Sequence, residues 1–220
     1  PVRAVHSDDF IAFLETAWQE WQDAGFTGEA IASSWPARRM QSRVPSSIDG
    51  KIGYYALAAE TSITEGTWAA ALASKDVALT GAKALYQSEQ GIFSLCRPPG
   101  HHAASDMFGG CCFLNNAAIA AQYLCDQGTN RVAILDIDFH HGNGTQKIIE
   151  SNPNIAYVSI HQFPFYPGTG NESEQGKYNN VLNIPMNAGD GSDEYRKKFN
   201  DLIFRESNEA KWRYDSWDDW

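Results

Sequence analysis

A near-continuous apolar run at Arg131–Asp136 is the feature that most restricts the fold of this chain. Such runs are typical of strands that are covered on both faces, as in parallel sheets. Further strand-like runs lie at 155–160 and 181–184, and a run at 91–96 ends at a Pro-Pro-Gly turn, where proline cannot donate to a strand ladder. Helical patterns separate these runs, so the sequence predicts an α/β domain with a parallel sheet.

Helical spacing of apolar residues predicts a helix over residues 8–24, and two alanine-rich stretches predict helices over 51–61 and 67–88. The segment between residues 27 and 47 is rich in Gly, Ser and Pro and lacks periodicity, which predicts a long surface loop. The predicted helices cover residues 8–24, 51–61, 67–88, 115–127, 144–150 and 192–206.

Composition excludes several classes of function. The 220 residues carry 17 Lys and Arg against 27 Asp and Glu, a net charge of −10 that repels phosphate backbones, so we expect no nucleic-acid partner and favour a cationic small substrate. No apolar run approaches the ~20 residues of a membrane helix, and the amino end has no signal-type apolar core. The four cysteines show no disulfide-framework spacing, so we expect a soluble, cytoplasmic protein without a membrane partner.

Polar residues with metal-binding chemistry follow two of the predicted strands. His101 and His102 come after the first, while Asp136, Asp138 and His140 share a parity that an extended backbone directs to one side. Because ligands bind at the carboxyl ends of parallel strands, we expect these clusters to meet around a shared cation. Nitrogen and oxygen ligands without a thiolate favour zinc, with iron, cobalt or manganese also compatible.

A structural interpretation stays open beside the catalytic one. The two aspartates could cap the following helix, and the tandem histidines could be one buried and one exposed residue on a rigid turn. Beside a metal, a neutral imidazole can instead take a proton from water and return it to a leaving group. Asp136 and Asn143 are near enough in sequence to the metal strand to orient those rings.

The chain contains the motifs RPPGHHA at 97–103, GGCCFLNN at 109–116 and DIDFHHGNGT at 136–145. These motifs resemble the histone deacetylase superfamily, and the stretch from Val5 to Ala73 resembles its acetylpolyamine amidohydrolase branch. The resemblance implies a three-layer open parallel sheet with helices on both faces, as in arginases and deacetylases, of which this chain would hold an incomplete version.

The resemblance also implies roles for the polar clusters. Asp138 and His140 would be zinc ligands, His102 the general base and His101 its electrostatic or acid partner. Asp136 would orient His101. A structural potassium ion is implied as well, held mostly through carbonyl oxygens of residues 136, 138, 140, 159 and 160.

Substrate contacts are implied for a second group of residues. Gly110 and Tyr166 would line the tunnel for the acylated amine, Asp49 would meet a substrate ammonium, and Asn143 would stand near His102. Cys111 falls where the family normally has an aromatic wall, which predicts a wider channel and a looser substrate preference.

The resemblance further predicts the limits of the domain. Residues 1–207 would form a partial deacetylase-like domain, with 26–48 as an inserted substrate and dimer loop and 208–220 as a tail without a match. The family's third zinc ligand, an aspartate, and its oxyanion tyrosine have no match after Asn200. The family's opening strand before Pro1 has no match either, so we expect a fragment truncated at both ends, with weak zinc binding and little turnover. The inserted loop implies a homodimer.

The sequence thus predicts a zinc-dependent amidohydrolase that removes acetyl groups from acetylated polyamines or acetyl-lysine-type amines. Iron or cobalt could replace the zinc. One alternative is a non-catalytic relative that keeps the fold. Another is a binuclear manganese ureohydrolase, which is disfavoured because a glycine rather than a carboxylate follows His141.

Overall fold

A computed structural model describes residues 1–37 and 42–203 of the chain. It divides the chain into two compact units, Pro1–Gly128 and Thr129–Trp220. The predicted tail at 208–220 and four residues of the predicted loop lie outside the described residues. The domain limits predicted from the sequence therefore stay a prediction.

The first unit is built from helices joined by irregular segments. After a 3₁₀ turn at Val2–Ala4, its helices are α1 (Asp8–Asp23), α2 (Ile48–Tyr55), α3 (Thr67–Tyr86) and α4 (Asn116–Asp126). Helix α1 packs on α2, and α3 packs on α4. As its periodicity predicts, α1 buries one apolar face, which consists of Phe10, Ile11, Phe13, Leu14, Ala17 and Trp21.

An aromatic stack ties this unit together near the predicted tunnel glycine. Phe13 of α1 lies 4.6 Å from the ring of Tyr55 and 6.1 Å from that of Phe108, measured between ring centroids. Phe108 stacks in turn on Phe113 at 5.6 Å. The two ends of the short segment that contains Gly110 are thereby anchored in the core.

Two predictions for the first unit are wrong in detail. The run at 91–96 forms no strand, and Phe93 and Leu95 are 88% and 78% exposed. A strand needs a neighbour to pair with, and within the described part of this unit none pairs with 91–96. The helix predicted over 51–61 ends at Tyr55, because Ala56 is extended and bridges to Phe108.

The second unit is organised around a parallel sheet. Its strands β1 (Val132–Asp136), β2 (Ile155–Gln162) and β3 (Val181–Met186) pair in that order. Helix α5 (Asn143–Ile149) connects β1 to β2, and α6 (Ser192–Ile203) follows β3. The predicted strand, helix, strand alternation is confirmed for this unit.

The two helices of this unit cover opposite faces of the sheet. On one face, side chains of even-numbered residues of β2 and β3 pack against Tyr195 and Phe199 of α6. On the other face, Asn183 donates to the Gln146 side chain of α5 over 2.7 Å. The predicted sheet with helices on both faces is therefore confirmed.

Strand β1 departs from its prediction. Its residues alternate between half-buried and exposed, and Leu135 is 46% exposed, so β1 is not covered on both faces within this unit. The physical reason is the placement of the helices of this unit, since α5 packs on β2 and α6 packs on β3. Among the described helices of both units, none is long and apolar enough to cross a bilayer.

A buried histidine fixes the loop after the tandem histidines in the first unit. His6 is 3% exposed, and its Nδ1 donates to the Ala104 carbonyl over 2.7 Å. Its Nε2 accepts from the Asn115 N–H over 2.9 Å, so the ring is neutral and both nitrogens are used. Burial lowers the pKa of His6 to about 4, because a protonated ring would be desolvated and would lose the Asn115 bond.

We expect acid to destabilise the protein through His6. The folded state binds this proton less readily than the unfolded state, so its stability is complete above the ordinary pKa of 6.5 and decreases as the pH falls towards about 4. The free energy of unfolding should fall by at most about 1.4 kcal/mol per pH unit in this window. Urea unfolding at pH values across the window measures it. In His6→Gln, which keeps one donor and one acceptor, this part of the pH dependence should vanish; an unchanged slope would contradict the assignment.

Candidate functional site

The tandem histidines lie on an ordered loop of the first unit. The His101 and His102 ring centroids are 4.0 Å apart, with the planes inclined by 45°. His102 is buried and His101 half-buried. The loop is held by Asn115, whose Nδ2 donates to the Ala103 carbonyl over 2.9 Å. This geometry positions His102 rigidly and leaves His101 accessible to solvent.

A tight turn packs directly on His102. Gly109 and Cys112 exchange two backbone hydrogen bonds, of 3.0 and 2.9 Å. The two residues between them both have positive φ, +56° at Gly110 and +63° at Cys111, as in a type I′ turn. A Cβ on Gly110 would collide with the His102 ring, so only a glycine allows this approach. The structure therefore brings three of the predicted residues together: His102, Gly110 and Cys111.

Two side chains that sequence reasoning missed hold this turn in place. Glu60 Oε1 accepts from the Gly110 N–H over 3.0 Å, and Thr61 Oγ1 accepts from the Cys111 N–H over 2.9 Å. The contacts place a carboxylate beside the turn that borders His102. They join residues 50 positions apart, and no local pattern in the sequence signals them.

Asp49 lies elsewhere in the first unit, in the first turn of α2. Hydrogen bonds from Ser47 and from the Gly50 N–H lower its pKa, so the half-buried carboxylate is ionised. The loop before α2 runs close by, since a Cβ on Gly53 would collide with the Ser34 carbonyl. A role for Asp49 in binding a substrate ammonium stays a prediction.

The second unit brings the two predicted zinc ligands together. Asp138 Oδ1 lies 3.5 Å from His140 Nδ1, and both side chains are partly exposed. The backbone fixes the pair locally, because the Asp138 N–H donates to Asp136 Oδ1 and the His140 N–H donates to Asp138 Oδ1, over 3.1 and 2.8 Å. Within the described residues, however, no group of three or more His, Cys, Asp or Glu side chains could hold a metal ion.

The Asp136 carboxylate accepts a hydrogen bond from a buried tyrosine. Tyr157 donates from its hydroxyl to Asp136 Oδ2 over 2.9 Å, and burial raises the pKa of Tyr157 well above its ordinary value. Asn143 is the first residue of α5, and its N–H donates to the His141 carbonyl. The sequence predicts that Asp136 orients His101 and that Asn143 stands near His102. Both roles stay predictions.

Aromatic rings flank His140. Tyr166, a predicted tunnel residue, meets it edge to face at 5.5 Å. Phe165 stacks on the same imidazole, with centroids 5.6 Å apart and planes inclined by 8°. Sequence reasoning missed Phe165, although its position beside Tyr166 could have suggested it.

Comparison with known proteins decides the family. The model of the histone deacetylase domain matches residues 1–211. The chain belongs to the histone deacetylase family. The acetylpolyamine amidohydrolase of Mycoplana ramosa is 50% identical over 194 residues, which are 86% of this chain and 57% of that protein. Acetylpolyamine amidohydrolase 2 of Pseudomonas aeruginosa is 47% identical over 197 residues, again 86% of this chain and 57% of that protein.

Solved structures agree with this assignment to the deacetylase family. The crystal structure of acetylpolyamine aminohydrolase from Burkholderia pseudomallei matches with a TM-score of 0.86 at 35% identity, covering 93% of this chain and 61% of that one. The HDA15 HD domain matches with a TM-score of 0.63 at 30% identity, covering 84% of this chain and 45% of that one. This deacetylase-family chain thus spans less than two thirds of each of these relatives.

We expect Gly110→Ala to destabilise the protein more than Gly25→Ala. Both positions have positive φ, so both variants pay the backbone cost of alanine there, but nothing lies within 4 Å of a Cβ on Gly25 whereas His102 blocks one on Gly110. The difference in the free energy of unfolding should exceed about 1 kcal/mol, measured by urea unfolding. Equal losses in the two variants would contradict the packing of His102 on this turn.

Proposed function

We propose that this chain carries the chemistry of a zinc-dependent amidohydrolase that removes acetyl groups from acetylated polyamines or acetyl-lysine-type amines. The observation that carries the proposal is the Asp138–His140 pair, a carboxylate and an imidazole 3.5 Å apart after β1. Membership of the deacetylase family supports it, as do the names of the relatives, acetylpolyamine amidohydrolases.

The donor chemistry of this pair fits zinc. Zinc accepts imidazole nitrogen and carboxylate oxygen, and both side chains are open to solvent on the same side of the backbone. Iron or cobalt would accept the same ligands. Because the pair supplies two ligands, the described residues would provide half of a four-coordinate site. When bound, zinc would act as a Lewis acid toward the acetyl carbonyl and the attacking water.

The tandem histidines would move the protons of the reaction. His102, buried and held under the Gly110 turn, would take a proton from the water that attacks the amide carbon. That proton would pass to the amine nitrogen as the carbon–nitrogen bond breaks, giving acetate and the free amine. His101, whose ring centroid lies 4.0 Å from that of His102, would be its electrostatic or acid partner. Asp136 would orient His101, and Asn143 would stand near His102.

Acidic groups favour a cationic substrate. The chain has a net charge of −10, Asp49 is ionised, and the Glu60 carboxylate lies beside the turn that borders His102. Gly110 and Tyr166 would form tunnel walls for the acylated amine, and the exposed Cys111 would leave more room there than an aromatic ring. An acetylated polyamine, with an amide at one end and ammonium groups beyond it, fits these features.

Three further parts of the proposal come from the family resemblance. A structural potassium ion would be held mostly by carbonyl oxygens. A homodimer would form through the loop at 26–48. The reaction would take place in the cytoplasm. The residues that would hold the potassium ion are 136, 138, 140, 159 and 160.

We expect the 220-residue chain to bind zinc weakly through Asp138 and His140. With two ligands from the described residues, the dissociation constant should exceed about 1 µM, whereas complete structural zinc sites gain about 10–16 kcal/mol. Asp138→Asn should weaken binding at least ~10-fold in competition with a zinc indicator, and Asp23→Asn, at the exposed end of α1, should not. Tight binding at one zinc per chain would contradict the two-ligand site.

We expect zinc-loaded protein to release acetate slowly from N-acetylputrescine, measured by an enzyme-coupled acetate assay. His102→Ala should remove this activity because it removes the proton acceptor, and His6→Gln should retain it. Zinc-loaded protein that releases no more acetate than His102→Ala would support the non-catalytic relative. Urea release from guanidino compounds with manganese would support the ureohydrolase alternative.

A further inference from the structure

The second unit contains a buried histidine pair for which the proposed mechanism has no use. His141 and His161 are almost completely buried, and their ring centroids are 4.6 Å apart. His141 follows the proposed zinc ligand His140, and His161 lies in β2. Burying two imidazoles side by side is costly unless each nitrogen has a partner, so the pair needs an explanation.

The hydrogen bonds of His141 determine which nitrogen carries its proton. Gln146 Oε1 accepts a hydrogen bond from Asn183. Because an amide oxygen can only accept, the 2.9 Å contact with His141 Nε2 means that this nitrogen carries the proton. The amide orientation of Gln146 is fixed because its Nε2 donates to the Glu174 carboxylate. The other nitrogen, His141 Nδ1, therefore accepts from the Thr169 hydroxyl over 2.8 Å.

His161 makes the matching set of contacts. Its Nε2 lies 2.9 Å from the Gly170 carbonyl, which can only accept, so this nitrogen carries the proton. Its Nδ1 accepts from the Ser159 hydroxyl over 2.9 Å. Burial is the main reason why the pKa values of both His141 and His161 are lowered, in agreement with neutral rings.

Both imidazoles thus bind one short stretch of the chain, His141 through the Thr169 hydroxyl and His161 through the Gly170 carbonyl. A Cβ on Gly170 would collide with His161 and would lie 2.6 Å from His141 Cγ, and the φ of Gly170 is +93°. From another side, Glu174 accepts from the N–H groups of Gly170 and Asn171 over 3.1 and 3.0 Å. Gly170 is therefore enclosed by two rings and a carboxylate.

The stretch held in this way carries the rings that flank His140. We name Phe163–Gly170 the aromatic segment. It contains Phe165, stacked on His140, and Tyr166, edge-on to it. At its start the Phe163 N–H donates to the Met186 carbonyl of β3, and at its end the histidine pair holds Thr169 and Gly170.

We propose that the buried pair of His141 and His161 is a positioning device, which holds the aromatic segment so that Phe165 and Tyr166 fix the ring orientation of His140. Thr169 and Gly170 are its positioning residues. The inference deepens the proposed function and rests on it for the role of His140 as a zinc ligand. The packing that it describes exists without metal, so it can be tested separately.

The test follows the His140 ring by NMR in metal-free protein, with all variants compared at one fixed pH. An aromatic ring stacked on the imidazole shifts the His140 ring protons upfield. The Phe165→Leu variant removes that ring and identifies the signal. Thr169 is exposed, and Thr169→Val removes the hydroxyl that binds His141 with little change in side-chain shape. Thr169→Ser keeps the hydroxyl.

We expect Thr169→Val to lose part of the upfield shift and Thr169→Ser to keep it. Gly170→Ala, which forces a Cβ between the two rings, should lose it entirely. Gly189→Ala is the matched control, because it has φ of +92° in the same unit but nothing within 4 Å of a Cβ. It should keep the full shift.

An upfield shift that survives in both Thr169→Val and Gly170→Ala would overturn the proposal, and so would its loss in Thr169→Ser. If Gly170→Ala does not fold, the comparison of the Thr169 variants still decides. The zinc titration of the same samples separates the two proposals. Absence of zinc binding with the expected NMR shifts would refute the proposed function of His140 and leave the positioning device intact.

Discussion

Parallel pairing of β2 with both of its neighbours is the constraint on which the second unit depends. It places Asp136, the last residue of β1, beside Ser159, and Ser159 beside Asn183, so β1 ends level with the interior of β2 and β3. Because the three strands run in one direction, the polar residues that follow β1 lie at the same end of the sheet as the last residues of β2, which include His161. The Asp138–His140 pair and the buried histidines are direct consequences of this register.

A histidine packed against a bare glycine backbone occurs in each unit. Gly110 lies against His102, and Gly170 lies against His141 and His161. In both cases the glycine has positive φ and the adjacent peptide groups are held by side-chain carboxylates, from Glu60 and Glu174 respectively. Such contacts make imidazoles rigid without apolar packing on every side, and rigid imidazoles suit ligand and proton-transfer roles.

Much of the architecture could be predicted from local patterns. Periodicity located α1, an alanine-rich stretch located α3, and apolar runs located all three strands, because these signals depend on near neighbours in sequence. The run at 91–96 failed since a strand requires a partner that its own composition cannot supply. The predicted coverage of β1 on both faces failed for a related reason, because α5 and α6 pack on β2 and β3, which the composition of β1 does not reveal.

In the candidate site, too, some features follow from local sequence and others from the tertiary structure. The sequence by itself determined which residue types carry the chemistry, since the DIDFHHGNGT motif supplies carboxylates and imidazoles after β1 and the RPPGHHA motif supplies two adjacent imidazoles in the first unit. Local spacing also determined that Asp138 and His140 face one another. Only the tertiary structure decided what supports them: Phe165 on His140, Glu60 at the Gly110 turn, and the His141–His161 pair. These contacts depend on burial and on atoms brought together from distant positions, which no local pattern encodes.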